Sequence, residues 1–476
     1  MKNSRILTYI IVFVASLMWS CKSEQTLQQG SIKPIPNSFN NSNDSASSAN
    51  IRWKEYFSDT NLLTLLDTAV GNNLDGLIAL QRIEIAKAGV QYSKGALLPT
   101  INGIAVPKIN RYGLYTMDGA GNSTTDIQRG RIIPTNLPDY LVGFQTIWEA
   151  DIWGKLRNRK KAAIARYMAS AEGRNWMMTN VVAQVANSYY ELLALDYELE
   201  IIEETISLQQ NAFEIVTVQK EAGAANELAV KQFKAQLLNS KALEIQVKQQ
   251  IIESESRINL LLGRFPQPII RDKTSFAQSN LSEMQTGIPS DLLRNRPDIR
   301  QSELELVAAK ADVKSAKAMF YPTFHLTGGV GFQAFEPSLL FTTPQSFIFS
   351  LLGSISAPLI NRSAIKAEFK AANAFQVEAL YNYQKSILNG YVEVYNELQN
   401  IKNLQQIYEI RNEEVTTLSQ AIETSFDLFR TGRATYLEVL LTQQNALNAK
   451  LDFTNTRKNQ YISRVNLYKA LGGGWY

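Results

Sequence analysis

The sequence holds one cysteine, Cys21, and one histidine, His325, in 476 residues. A lone cysteine forms no internal disulfide, and a lone histidine in a strand-like stretch leaves no zinc cluster and no Cys-His or Ser-His nucleophile legible in the chain. Proline is missing from 139–265 and again from 359–476, although 14 prolines occur elsewhere. Beyond the first twenty residues there is no run of eighteen apolar residues. Any further membrane crossing therefore falls to β-strands, since only helices and closed barrels satisfy backbone groups in lipid. A dominant charge is missing too: 48 Lys and Arg stand against 44 Asp and Glu, with no basic arm that would suggest nucleic acid. The acids interleave with lysine and glutamine as on solvated helix faces, and no spacing singles out a glycosidase-like carboxylate pair. Gly328-Gly329-Val330-Gly331 lacks the Lys-Ser/Thr that completes a phosphate loop. These absences point away from an enzyme, a resident metal and a bound cofactor.

What is present is one unit written twice. Ala86-Lys87-Ala88-Gly89-Val90, Lys94 and Pro99-Thr100 return 223 residues later as Ala309-Lys310-Ala311-Asp312-Val313, Lys317 and Pro322-Thr323. Gly223 to Gly263 aligns without a gap on Gly432 to Gly472 at an offset of 209, with Leu228, Val230, Leu238, Asn239, Lys241 and Leu262 all recurring. Self-similarity on this scale means two copies of one structural unit in one body.

The first residues form a separate signal. Lys2 and Arg5 precede a mostly apolar stretch from Ile6 to Met18, and Ser20 stands just before Cys21. The segment resembles the bacterial lipoprotein signal, in which the cysteine becomes the lipidated N-terminus after cleavage. Lys22 follows it, where an inner-membrane retention signal commonly has Asp, so the resemblance implies outer-membrane sorting. Acyl chains anchor by burying CH2 groups at roughly 0.8 kcal/mol each. Loss of Lys2 and Arg5 lowers the formal charge from +4 to +2.

The proline-free stretches predict long helices, because a proline inside a helix costs about 3 kcal/mol. Leu192, Leu195, Leu199, Ile202, Ile206, Gln209, Phe213 and Val216 step by threes and fours, as do Leu398, Ile401, Leu404, Tyr408, Arg411, Val415, Leu418, Ile422, Ser425 and Phe429. A helix from about Lys155 to Val218 would extend on the order of 95 Å. Returning helices are expected over about Glu227 to Leu262 and Tyr436 to Leu471, with Ala235, Ala242, Gln249 and Ser256 read as a small, polar seam. Gly223 and Gly432 suit the left-handed residue that ends a helix.

The proline clusters at 99–138 and 322–358 are rich in Gly, Thr and aromatics and read as two β-hairpins. The first is sixteen residues longer, and the excess is placed in an exposed loop around Tyr115 to Arg131. Trp148, Trp153, Phe332, Phe335 and Phe341 are equally readable as interfacial girdle residues or as ordinary packing, and Tyr189 and Tyr190 as helix packing. Four strands leave unpaired edges that lipid does not tolerate, so the barrel must be shared between at least two chains.

Arg296-Pro297-Asp298-Ile299-Arg300, Tyr321-Pro322-Thr323, Asp151-Ile152-Trp153-Gly154-Lys155 and Leu471-Gly472-Gly473-Gly474-Trp475, taken together, make the chain resemble the outer-membrane efflux proteins, TolC-like outer-membrane factors, in their lipoprotein branch. The resemblance covers nearly everything after the signal. It implies a mainly α fold with a small β part, in two tandem repeats of helix, β-hairpin, very long helix and returning helix. It also implies a homotrimer with a helical tunnel and a shared twelve-stranded transmembrane barrel. The implied partners are outer-membrane lipid, a periplasmic adaptor and an inner-membrane transporter of the RND type. On this reading residues 1–20 are the signal peptide and 21–60 the lipid-anchored N-terminal segment. The first repeat spans 61–265, with strands within about 100–150; 266–290 is a connecting equatorial segment; the second repeat spans 291–476, with strands within about 323–357.

In the family a carboxylate often sits six residues after the turn glycine, whereas here the first repeat has Ala229 and only the second has Glu438. Threefold symmetry would give a ring of three Glu438 carboxylates, able to bind cations or to be tied by Arg430 or Arg433 in a closed tip; the alternative is a solvated glutamate on a helix face. The expected function is a passive conduit in the outer membrane for small toxic compounds. The alternatives are a type I secretion conduit for polypeptides and a periplasmic coiled-coil scaffold without a pore.

Overall fold

The computed structural model describes residues 34–39, 51–272, 276, 287–360 and 362–475. Cys21, the signal segment and part of the 266–290 connection lie outside them. In chain order the elements are α1 (Thr60–Asn72), α2 (Leu74–Gly95), β1 (Thr100–Arg111), α3 (Met117–Asn122), β2 (Asp126–Gln128), β3 (Arg131–Ile132), β4 (Asn136–Ala150) and α4 (Lys155–Glu221), followed by α5 (Glu227–Leu261), α6 (Pro297–Ala318), β5 (Thr323–Ala334), β6 (Phe347–Ser356), α7 (Ser363–Arg430) and α8 (Tyr436–Ala470). The proline-free stretches are single helices of 67 and 68 residues, each followed by one of 35. No helix among the described residues is long and apolar enough to cross a membrane.

The chain divides into two compact units. One contains Ser93–Ala162 and Ala309–Tyr381. Its centre is a four-stranded antiparallel sheet in the order β1-β4-β5-β6, so the two hairpins join through β4 and β5, and β1 and β6 each pair on one side only. Pro107 sits on edge strand β1, where a missing N–H does least harm. Gly143 and Gly331 face each other across β4 and β5. A Cβ on Gly143 would lie 2.4 Å from the Val330 carbonyl oxygen, and one on Gly331 would lie 2.4 Å from that of Val142. Gly143→Val is therefore expected to block hairpin joining and to abolish the folded form recovered from membranes, whereas Gly353→Ala, with open space at its Cβ, leaves the yield unchanged.

Two motifs meet at the strand-to-helix corner of this unit. Asp151 caps α4 by accepting from the Leu156 and Arg157 amides at 2.9 and 2.8 Å. Gly154 has a φ of +77°, and the Trp153 indole donates to the Pro322 carbonyl at 2.8 Å while stacking on Tyr321. Trp148 donates to Leu97 O at 3.0 Å. Phe332 meets Phe341 and Phe347 at the other end of the strands. The excess of the first hairpin is indeed at its tip, but not as an open loop: Thr116 caps α3, and β2 and β3 form a short ribbon. His325 lies in β5 between Glu149 and Ser354, and Gly328 to Gly331 are strand residues.

The other unit contains Pro34–Tyr92, Ala163–Ala308 and Asn382–Tyr476. Its main core joins Leu62, Leu66, Val182, Val185, Leu192, Ile258 and Val465. Tyr189 is buried and donates to Asp59 at 2.8 Å, and Tyr190 stacks on Tyr461, so both are packing residues. The predicted seams of α4 and α7 are buried or half-buried throughout. The predicted seam of α5 is not its inner one. The buried line runs through Ala229, Phe233, Leu237, Ser240, Val247, Ser254 and Ile258, while Ala235, Ala242 and Gln249 are exposed and Ser256 half-buried. The helix carries two seams, and spacing alone does not say which one its own chain covers.

The repeat is exact enough to reproduce a tight contact. Gly263, at φ +68°, would place a Cβ 2.5 Å from the Asn72 carbonyl oxygen, and Gly472, at φ +97°, would place one 2.5 Å from that of Asn295. The two glycines are 209 residues apart and the two asparagines 223, the same offsets as the sequence repeats. Only glycine fits at either place.

Candidate functional site

The two helical turns end their long helices alike. Gly223 and Gly432 have φ of +75° and +71°. The amide after each reaches five residues back, Ala224 N to Gln219 O and Arg433 N to Leu428 O, both at 2.8 Å, a Schellman closure. Beneath the turns Ala212, Val216, Ala229, Phe233 and Val439 share one apolar cluster, with Phe426, Phe429 and Tyr436 against it.

The difference between Ala229 and Glu438 is first of all a difference in capping. In the second turn the Glu438 carboxylate accepts from the Thr435 amide and, at 2.9 Å, from its hydroxyl, completing a capping box at the start of α8. In the first turn Asn226 caps α5 by accepting from the Ala229 amide at 2.9 Å, so no glutamate is needed. Ala229 is moreover fully buried in the apolar cluster beneath the turns, where a carboxylate would be taken out of water. The first turn keeps its carboxylate two residues earlier, at Glu227, between Lys220 and Lys231. Glu227 has no acidic counterpart at the 209-residue offset, where Tyr436 stands; its signal in the sequence is an acid right after Asn226 with Lys220 and Lys231 on either side.

Arg430, Arg433 and Glu438 are all exposed near the second turn. Within one chain the Glu438 carboxylate is held by Thr435, not by either arginine. Hydrogen bonds from the Thr435 backbone and hydroxyl hold its pKa below the usual carboxylate range. A depressed folded pKa means a contribution present above the unfolded value of about 4.3 and lost as pH falls through the lower folded value. The protection of the first-turn amides of α8, taken relative to the unstructured chain at the same pH, is thus expected to fall on acidification below about pH 4, and Glu438→Gln to lower it already at neutral pH. No group of His, Cys, Asp and Glu suited to a metal ion occurs among the described residues.

A second feature emerges when the repeats are overlaid at the 209-residue offset. On α8 Leu447, Thr454 and Tyr461 are buried in their own chain, yet their counterparts on α5, Leu238, Ile245 and Ile252, are exposed; Leu447 is 3% exposed and Leu238 55%. On α4 Thr179, Ala183, Ala186 and Ile201 are buried, yet their counterparts on α7, Leu388, Val392, Tyr395 and Ile410, are exposed; Ile201 is 6% exposed and Ile410 67%. Leu447 and Ile201 belong to one cluster. The contact that the first repeat's long helix makes with the second repeat's returning helix has thus no equivalent within the chain for α7 and α5.

Comparison with known proteins fits these features. A family model described as outer membrane efflux protein matches residues 65–264 and 288–473. Similar proteins include the solvent efflux pump outer membrane protein SrpC of Pseudomonas putida, 28% identical over 422 residues, or 89% of this chain and 87% of that one. The probable outer membrane lipoprotein SilC of Salmonella typhimurium is 25% identical over 476 residues, 99% of each chain. A crystal structure of a membrane protein from Pseudomonas aeruginosa superposes with a TM-score of 0.82 at 24% identity, over 96% of this chain and 98% of that one, and so shares the fold. On the match of the model to both repeats, the chain belongs to the outer membrane efflux protein family.

Proposed function

We propose that this chain is the passive outer-membrane conduit of a tripartite efflux system, acting as a homotrimer without catalysis. The observation that carries the reading is incompleteness: a four-stranded sheet with one-sided edges at β1 and β6, and a helical unit whose α5 and α7 expose the apolar faces that α8 and α4 bury. Copies of the chain complete both. Three copies give twelve strands, a closed even number in the range of outer-membrane barrels, and turn two repeats into a pseudo-sixfold tube. A scaffold without a pore has no use for the sheet.

The aromatics at the two ends of the strands, Trp148 and Trp153 at one and Phe332 and Phe341 at the other, suit the interfacial girdles of such a barrel. Cys21 would carry the lipid anchor. The turns around Gly223 and Gly432, with Arg430, Arg433 and Glu438, would meet a periplasmic adaptor and close the tunnel, and an inner-membrane transporter of the RND type would supply energy. SrpC is named for solvent efflux, which favours small toxic compounds over secreted polypeptides as cargo.

Deletion of the gene is the direct test. It is expected to sensitise the cell to hydrophobic drugs, solvents or metal ions, with rescue by the intact chain and not by Gly143→Val. Unchanged tolerance across all three classes would sink the conduit reading, and loss of a secreted polypeptide instead would move the cargo to the type I class. For the ring of Glu438 carboxylates the readout is conductance in planar bilayers: Glu438→Gln is expected to lower cation selectivity or raise closed-state leak.

A further inference from the structure

The wall formed by α4, α5 and α8 has two dry cores. One gathers Leu195, Ile201 and Ile202 of α4 with Val247 of α5 and Leu447 of α8. The other, nearer the turns, gathers Ala212 and Val216 with Phe233 and Val439. Between the two, each helix carries a buried polar side chain: Gln209 on α4, Ser240 on α5 and Gln443 on α8. Both amide atoms of Gln209, both of Gln443 and the Ser240 hydroxyl lack a hydrogen-bond partner within the protein. Thr205, one turn away, is satisfied by the Ile201 carbonyl at 2.7 Å; bare atoms also occur singly elsewhere on α4 and α5, at Arg174, Thr179, Asn187 and Gln232, whereas five fall together at this level.

Buried amides and hydroxyls are almost always hydrogen-bonded, and where protein supplies no partner, ordered water does. At the 209-residue offset a buried Ala449 stands for Ser240, so an apolar residue serves that helix position in the other repeat, while Gln209 and Gln443 have the half-buried Leu418 and the exposed Lys234 as counterparts. Five bare polar atoms at one level of three packed helices mark a site.

We propose that Gln209, Ser240 and Gln443 form an internal water-binding layer, and that this layer is a hinge. Water exchanges its hydrogen bonds at little cost while interdigitated side chains do not slide. The segment that bears both turns therefore moves as one piece against the dry core behind it. The inference concerns the wall itself and does not depend on what passes through the tunnel.

The test is hydrogen exchange on the full assembled protein, beside a high-resolution cryo-EM map. The map is expected to show ordered water between the three side chains. Amides of 210–216 and 436–442 are expected to exchange on the order of tenfold faster than those of 195–202 and 447–453, with a step at the layer. Gln209→Met with Gln443→Met, apolar side chains of matching length, is expected to remove the step. If that double variant does not assemble, Ser240→Ala replaces it and is expected to narrow the step. The proposal is overturned by a smooth gradient of exchange in the parent, by a step that neither variant moves, or by a map in which the two amides pair directly with no water.

Discussion

Arg296→Ala is expected to destabilise the helical unit by about 3 kcal/mol, the low end of what removing one partner from a buried ion pair costs. The side chain is only 1% exposed. Its guanidinium forks onto Asp298 at 3.0 and 2.7 Å, reaches Glu393 at 2.7 Å and the Ala470 carbonyl at 2.9 Å, and lies over the Trp176 ring at 5.1 Å. Burial acts to lower its pKa, but the bonds and charges of Asp298 and Glu393 outweigh this and leave it raised. Glu393 is about half exposed, so water would take over part of its loss, which keeps the figure at the low end. The larger share comes from Asp298, left without its fork, and from the void beside Gly390, whose built Cβ would be 3.2 Å from the arginine. Arg296→Lys keeps the charge but not the fork and is expected to fall between the two. Thermal melts of the assembled protein followed by circular dichroism read the difference. A variant that melts with the parent would show the network to be dispensable.

The Arg-Pro-Asp motif thus marks a structural knot, and its role could not be read from spacing, because Glu393 and Ala470 are 97 and 174 residues away from Arg296. Local signals were legible where physics is local. Proline-free stretches became helices, glycines after the long helices took positive φ, and the proline-rich windows became hairpins. The turn region was legible in position but not in chemistry: that Glu438 caps its own helix depends on Thr435 three residues before it, whereas the contrast with Ala229 points only to the turn. The inner seam of α5 is hidden from spacing for a different reason. Phe233, Val247 and Ile258 form one heptad line, and Leu238, Ile245 and Ile252 another. Which line a chain covers itself is decided by tertiary packing, to which a single helix's periodicity is blind.

Leu238→Glu with Ile245→Glu is expected to abolish assembly while leaving the single chain folded. Both side chains are on the outer line of α5, away from Phe233, Leu237 and Val247 of the chain's own core. Covering a leucine or isoleucine gains roughly 1.5–3 kcal/mol, and a carboxylate in its place opposes burial outright. A closed ring repeats that loss at every junction between copies. The oligomer recovered by chemical cross-linking should then fall by an order of magnitude or more, with helical content of the monomer retained; Leu447→Glu, the same change on the covered line of α8, should instead unfold the chain. The repeat also names the contact. Ile201 and Leu447 share a cluster within the chain, so Ile410 of one copy and Leu238 of the next should meet in the same way across the junction. Cysteines at 238 and 410 are expected to cross-link neighbouring copies under oxidation, and Ile410→Lys to restore part of the assembly lost in Leu238→Glu. Oligomers unaffected by the double glutamate change, or cysteines that stay free in an intact assembly, would place the junction on another face and remove the pseudo-sixfold argument with it.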